Sequence, residues 1–349
     1  MVSMMPRSFR RLAAWIPVLA LLLPGAAGSA CAQTQDHRVT AFKEQFEGGA
    51  FERAVELGRP LREAFPDDAI LRYQYAAACF VTGDFEAVIA AAEDDAMIPL
   101  LPAAYEKEEE MGFEVYSWAL WQCEIQALAA SKRVDEALRD IKRSAGYENR
   151  PLLFLQYCLL QYRGQIREAE AVRARWFSQP YHGKPEGELY ARRVIPAMEV
   201  PDNLESWVTS AATHDEITLL RACAGFQDWL DGRTQRGMRR MTRAVREANP
   251  ATAGIPQTLL ALCLPEGESI GPHLKPGLDD PRWRKQSKAY NAYIEAYIDS
   301  DWPRLLRRLD EVMRLSPRNS RHRSYAPGAL GGGEARSGSC ARTDSLGYE

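Results

Sequence analysis

Gly49-Ala50-Phe51-Glu52-Arg53-Ala54-Val55 and, 34 positions later, Gly83-Asp84-Phe85-Glu86-Ala87-Val88-Ile89 share one shape. Lys132-Arg133-Val134-Asp135-Glu136-Ala137-Leu138 repeats it, and so does Gly164-Gln165-Ile166-Arg167-Glu168-Ala169. Weaker copies are Gly232-Arg233-Thr234 with Gly237, and Ser300-Asp301-Trp302 with Leu305. Each part has a physical task. A glycine or polar corner lets the chain reverse. The large residue two positions on packs into the helix pair, and the small one three further on lets two helices approach. The corner intervals are 34, 49, 32, 68 and 68, so the doubled gaps predict two degenerate corners near 198 and 266. Prolines at 66, 99, 151, 180, 250, 281 and 317 fall within two residues of the slot 17 past a corner. A proline there stops the second helix, because it cannot continue the hydrogen-bond ladder. Such recurrence predicts stacked helix pairs with a continuous core. Period-2 runs of β-branched residues are absent, which argues against strands.

The pattern resembles the tetratricopeptide repeat. The first copy carries Gly49, Phe51, Ala54 and Pro66 at that family's spacing, and the last carries Ser300, Trp302 and Pro317. The small residue of the family's first helix is matched by Ala76 and Gly225 but replaced by Phe42, Ile125, Tyr157 and Tyr293. The gap of 49 holds an insert of about one helix, Met97 to Val115, and the proline-rich regions 177–213 and 251–286 read as irregular. The resemblance implies an all-α, right-handed solenoid, a single extended domain over residues 36–319. It also implies a scaffold that holds a protein or peptide partner in a concave groove lined by the first helices. Tyr73, Tyr75, Gln122, Glu124, Gln156 and Gln161 are the groove residues it points to.

Composition narrows the class. Of 349 residues, 46% are apolar and 26% charged, which excludes a disordered chain, a collagen and a multi-span membrane protein. A formal charge of −3 gives no basic excess for nucleic acid. Arg7, Arg10 and Arg11, the apolar run Ala13–Leu23 and Ala30-Cys31-Ala32 read as a signal peptide over residues 1–32, cleaved before Gln33. Its loss leaves a formal charge of −6 on an exported chain, periplasmic or secreted. Membrane attachment then depends on lipidation of Cys31. Cys79, Cys123, Cys158, Cys223 and Cys263 lie in apolar helical runs and read as buried free thiols. A Cys123–Cys158 pairing across neighbouring helices is the alternative, and Cys340 lies in the tail. Residues 320–349, with Gly331-Gly332-Gly333, read as a disordered tail.

Chemistry finds few candidates. His37, His182, His214, His273 and His322 neighbour no nucleophile motif, and no metal-ligand spacing or phosphate loop occurs. No cofactor is expected, and the chain reads as a non-enzyme. Glu106-Lys107-Glu108-Glu109-Glu110 reads as a solvated helix face. Arg233, Arg236, Arg240 and Arg243 line one helix face, widened by Arg239 and Arg246. This stripe reads either as a dock for an anionic ligand or as a wet outer wall. Trp118 and Trp121 with Tyr116, and Tyr290, Tyr293 and Tyr297, read as core, or else as a sugar-stacking groove. The readings that remain beside the protein scaffold are a glycan- or peptidoglycan-binding module of an envelope enzyme, and a membrane-attached assembly lipoprotein.

Overall fold

Backbone geometry marks the corners. Gly49, Gly83, Gly164 and Gly232 have φ of 72°, 85°, 68° and 80°, and Lys132 has 63°. At each corner, two backbone bonds close the preceding helix. Gly83 N donates to Phe80 O and Asp84 N to Cys79 O, and the same pair recurs as Lys132 to Ala129 with Arg133 to Leu128. It recurs again at Gly49, Gly164 and Gly232. A left-handed residue with this bond pair satisfies carbonyls that the helix end leaves open. The corner expected near 266 has Gly267 at φ 80°, but with a single turn bond, Glu268 N to Pro265 O. The corner expected near 198 is replaced by continuous helix up to Glu199.

The computed structural model describes residues 37–95, 98, 114–143, 150–177, 189–211, 213–298 and 302–315. Among these there are sixteen α-helices and no strand. In the first half, α1 is His37–Glu47, α2 Phe51–Ala64, α3 Ala69–Thr82, α4 Phe85–Glu93, α5 Glu114–Ala130, α6 Val134–Arg143, α7 Arg150–Tyr162 and α8 Ile166–Trp176. A π-helical turn, Tyr190–Val194, runs into α9, Ile195–Glu199. Then come α10 Leu204–Thr209, α11 His214–Leu230, α12 Thr234–Glu247, α13 Gly254–Cys263, α14 Gly271–Leu278, α15 Pro281–Ile298 and α16 Trp302–Leu315. In the regions expected to be irregular, the described residues include the short helices α9, α10, α13 and α14, and residues 178–188 lie outside the described residues. Side chains start several of the helices. Asp68 accepts from Leu71 N at 3.0 Å, Asp84 from Ala87 N at 3.3 Å and Thr213 from Glu216 N at 3.1 Å.

The small-residue position behaves as its spacing predicts. Ala54, Val88, Ala137 and Ala169 are fully buried, Gly237 and Leu305 are buried too, and each lies five residues past its corner. At Gly237 the need is absolute, because a Cβ there stands 2.5 Å from the Gly225 carbonyl oxygen of α11. The large-residue position is buried at Phe51, Phe85 and Val134 but exposed at Ile166 and Thr234. Prolines divide between two roles. Pro66 and Pro250 follow the ends of α2 and α12, whereas Pro151 and Pro281 sit in the first turns of α7 and α15. Both placements avoid a lost ladder bond.

From α1 to α8 each helix packs on its sequence neighbours. Beyond α11 the chain returns: α13 packs on α5 as well as on α11 and α12, α14 packs on α3, and α15 packs on α1. Gln257 Nε2 donates to Phe80 O, and Lys132 Nζ to Leu264 O at 2.7 Å. Ile270 and Leu274 lie against Gly83, and Arg284 and Ser287 against Gly49. The array expected as one extended domain folds back on itself. Helix α13 sits inside it, buried without interruption from Ile255 to Cys263. A helix apolar around its whole circumference has to be surrounded. One cluster of buried residues runs from Phe42 to Leu278.

The expected signal peptide with Cys31, the acidic run 106–110, His182, His322, Cys340 and the tail 320–349 lie outside the described residues, as does most of the expected insert. No described helix is long and apolar enough to cross a membrane.

Candidate functional site

The six residues assigned to a concave groove separate into two groups. Tyr73, Tyr75 and Gln122 are core residues, at 0%, 3% and 3% exposure, and cannot meet a partner. The Tyr73 ring lies 5.9 Å from that of Tyr116, and burial pushes its hydroxyl pKa well up. Tyr75 is pushed up to about 12, by burial and then by Cys79, with Arg59 pulling the other way. Tyr73 and Tyr75 are covered by their own first-half neighbours, Tyr116 of α5 and Gly58 and Arg59 of α2, whereas α13 from the second half packs on α5, which carries Gln122. Gln126 touches the start of α13 at Gly254, and Gln122 lies one turn before it on α5. Gln74, Gln122, Gln126 and Gln257 are all buried, each with an amide oxygen that receives no hydrogen bond among the described residues. Such a group costs roughly 1–3 kcal/mol.

Glu124, Gln156 and Gln161 stay partly exposed. Glu124 has a carboxyl pKa raised to about 7, by burial first and then by Asp140 and Glu93. Arg143 and Arg133 offset this only in part. Gln161 is the one expected residue that lines a groove, and its Nε2 donates to the Tyr157 hydroxyl at 2.9 Å.

That groove, of about 250 Å³, forms where four helices converge. Helix α7 contributes Tyr157 and Gln161, four residues apart on one face, and α8 contributes Glu170 and Arg173. Met198 and Glu199 come from the end of α9, and Gln227 and Asp231 from the end of α11. Arg173 bridges the two acids, at 2.9 Å to Glu170 and 2.5 Å to Glu199. Gln227 Nε2 donates to Asp231 at 2.9 Å. The Gln161 Oε1 receives no hydrogen bond among the described residues. Three carboxylates and one guanidinium line it, and Asp231 is also paired with Arg233 at 2.5 Å. Tyr157 is buried, and burial pushes its hydroxyl pKa up, so it serves as a neutral hydrogen-bonding group. Glu199, Gln227 and Asp231 carry no mark in the sequence that sets them apart from ordinary surface residues.

A wider groove of about 450 Å³ lies between α6 and the start of α8, lined by Leu138, Arg139, Lys142, Arg143, Asp135 and Gln165. Its basic residues sit in the later turns of α6, where cations suit the helix dipole.

The arginine stripe is largely used up inside the protein. Asp228 is fully buried and takes Arg233 at 2.7 Å, Arg236 at 2.5 Å and Arg240 at 2.5 Å. Arg236 also reaches Asp202, Arg233 reaches Asp231, and Arg243 pairs with Glu247 at 2.8 Å. Arg239 and Arg246 are exposed, with no carboxylate at ion-pair distance among the described residues. Three of the six arginines thus tie the α12 end to α11, a fourth pairs within α12, and all four are spent as an anion dock. Burial raises the Asp228 pKa, but hydrogen bonds from Arg236 and Arg233 outweigh it and hold the carboxyl below its usual range.

The remaining candidates settle into structure. Trp118 and Trp121 pack on each other, ring centroids 4.8 Å apart, with Trp121 buried. The side chains of Tyr290, Tyr293 and Tyr297 lie outside the described residues. His214 meets the Glu247 carbonyl at 2.6 Å, at the end of α12. His37 is exposed, and His273 lies 3.7 Å from Glu268. Cys79, Cys123, Cys158, Cys223 and Cys263 are buried free thiols, and burial raises every one of their pKa values. No group of histidine, cysteine and acidic residues among the described residues is arranged to hold a metal ion.

Fold and site together define an all-α protein with a small polar groove at the turn between its two halves. Comparison with family models, with curated proteins and with solved structures finds no match to this chain.

Proposed function

We propose that the chain is a non-enzymatic interaction scaffold of the cell envelope, built of tetratricopeptide-like helix pairs, and that it holds a peptide segment of a partner protein. The observation that carries this reading is the groove between α7, α8, α9 and α11. It gathers side chains from four separate helices, so the fold holds its shape rigidly. Its volume of about 250 Å³ lies below the range of ordinary small-molecule sites and suits one side chain of a longer ligand. Its groups recognise rather than react: the tyrosine is held neutral, and an arginine engages two of the acids. The repeated left-handed corners and the buried small residues beside them support the tetratricopeptide-like part of the proposal. The leader-like N-terminus supports the envelope.

Display selection of random peptides on the purified chain tests the reading. Enriched peptides are expected, with at least tenfold weaker binding to Gln161→Ala and Gln227→Ala proteins of unchanged helix content. No enrichment, or equal binding by the variants, contradicts it.

A further inference from the structure

The wider groove, between α6 and the start of α8, has cations that the protein does not pair. We infer that it docks an acidic segment of a partner protein, with an aliphatic residue of that segment seated at the Gly164 corner. This surface stands apart from the groove between α7, α8, α9 and α11 and does not depend on it. Asp135, Leu138, Arg139, Lys142 and Arg143 follow one another along α6, and Gln165 adds the start of α8. From Asp135 to Arg143 the helix rises about 12 Å, the length of roughly four residues of extended chain. The volume of about 450 Å³ falls within the range of binding sites. Arg139 and Lys142 are exposed, and neither has a carboxylate at ion-pair distance among the described residues. Arg143 is half exposed and meets Asp140 at a long 3.5 Å. Asp135, the acid of the lining, is taken by Arg163 at 3.0 Å.

Carboxylates are the matching chemistry. Each guanidinium offers a planar fork of N–H donors that a carboxylate fits, and the lysine adds a mobile point charge. The C-terminal end of a helix carries only about half a negative charge, which three cations exceed. The Gly164 end supplies the apolar contact. At the Gly83 corner the chain provides such a contact itself: Ile270 and Leu274 lie against the glycine, and Phe85, two residues on, is 8% exposed. At Gly164 a Cβ would meet nothing within 4 Å, and Ile166, two residues on, is 55% exposed. The same kind of corner that aliphatic side chains cover at Gly83 is therefore open beside Gln165, at one end of the cationic groove. A basic segment meets three like charges there, and an anion without an apolar residue leaves Ile166 in water.

The probe is a dye-labelled peptide, Leu-Glu-Glu-Glu-Glu, titrated with the full chain and read by fluorescence anisotropy. Leu-Gln-Gln-Gln-Gln is its neutral counterpart, and Gly-Glu-Glu-Glu-Glu lacks the aliphatic residue. A saturable rise is expected with the first, roughly tenfold weaker with the glutamine peptide, about threefold weaker with the glycine peptide, and reduced by salt. It should be lost in Arg139→Glu/Lys142→Glu, and Ile166→Ser should bring the first peptide down to the level of the glycine one. All three positions are exposed, so helix content should stay unchanged, and circular dichroism checks it. Gln161→Ala, which alters the other groove, should bind the probe as wild type does, so the two surfaces report separately. No saturable rise, equal binding of the glutamate and glutamine peptides, or undiminished binding by the charge-reversed protein overturns the inference. So does binding of phosphatidylglycerol vesicles through the same two cations with no binding of the peptide, which would assign them to a membrane.

Discussion

Two carboxyl groups carry opposite pH signatures. Asp228 is buried under three arginines that hold its pKa down. Its stabilisation is complete above the ordinary carboxylate value and disappears as pH falls through the lowered value of the folded state. Asp228→Asn leaves three guanidinium groups around a neutral amide. Because those groups are partly exposed, a loss near the low end for a broken buried pair is expected, about 3 kcal/mol at pH 7. Urea unfolding checks it, and the deficit against wild type should shrink toward pH 3. Glu124 behaves the other way. Its folded pKa of about 7 lies above its unfolded value, so the folded state binds the proton more tightly. Stability is greatest below the unfolded value and is lost as pH rises toward 7. Glu124→Gln should therefore be more stable than wild type at pH 8, by about 3 kcal/mol at 1.36 kcal/mol per pKa unit. The two should match near pH 4, in the same unfolding measurement.

At the scale of elements, the corners are where the sequence is most legible. A glycine or a tolerated lysine in left-handed conformation and a buried residue five positions later, small at Ala54, Ala137, Ala169 and Gly237, are local requirements, and local chemistry encodes them. Lys132 is the exception that carries a Cβ in a left-handed backbone, and its ammonium reaches the end of α13 at Leu264 O. Lys132→Ala keeps the backbone strain and loses the bond, so a loss of about 1 kcal/mol is expected. Lys132→Gly loses the bond but relieves the strain, which should leave stability close to wild type. Thermal unfolding of the pair separates the two effects. The candidate site was less legible. Periodicity identifies the first helices, yet it does not tell that Tyr73 and Tyr75 face α5 and α2, or that α13 from the other half of the chain covers α5, which carries Gln122. Glu124, Gln156 and Gln161 stay partly exposed, and Gln161 lines the groove between α7, α8, α9 and α11. Its groove partners Glu199, Gln227 and Asp231 come together through tertiary packing alone.

For the whole molecule, the decisive feature is the return of α13, α14 and α15 onto α5, α3 and α1. The apolar run Ile255–Cys263 gave no sign of this, because a short run of that kind looks the same in any buried helix. The return makes a distant pair of corners unequal. A Cβ at Gly83 stands 2.7 Å from Ile270, whereas one at Gly232 meets nothing within 4 Å. Both residues are left-handed. Gly232→Ala should cost about 1 kcal/mol, from backbone strain alone. Gly83→Ala should cost about 1–3 kcal/mol more, from overpacking against α14. Equal losses in thermal unfolding would place α14 elsewhere. Hydrogen exchange, resolved by helix, tests the folded-back architecture most directly. If the array closes around α13, the amides of Leu259–Cys263 exchange only through global unfolding, as slowly as any in the protein and far more slowly than those of α1 and α16. Exchange of α13 as fast as that of the terminal helices would contradict the account.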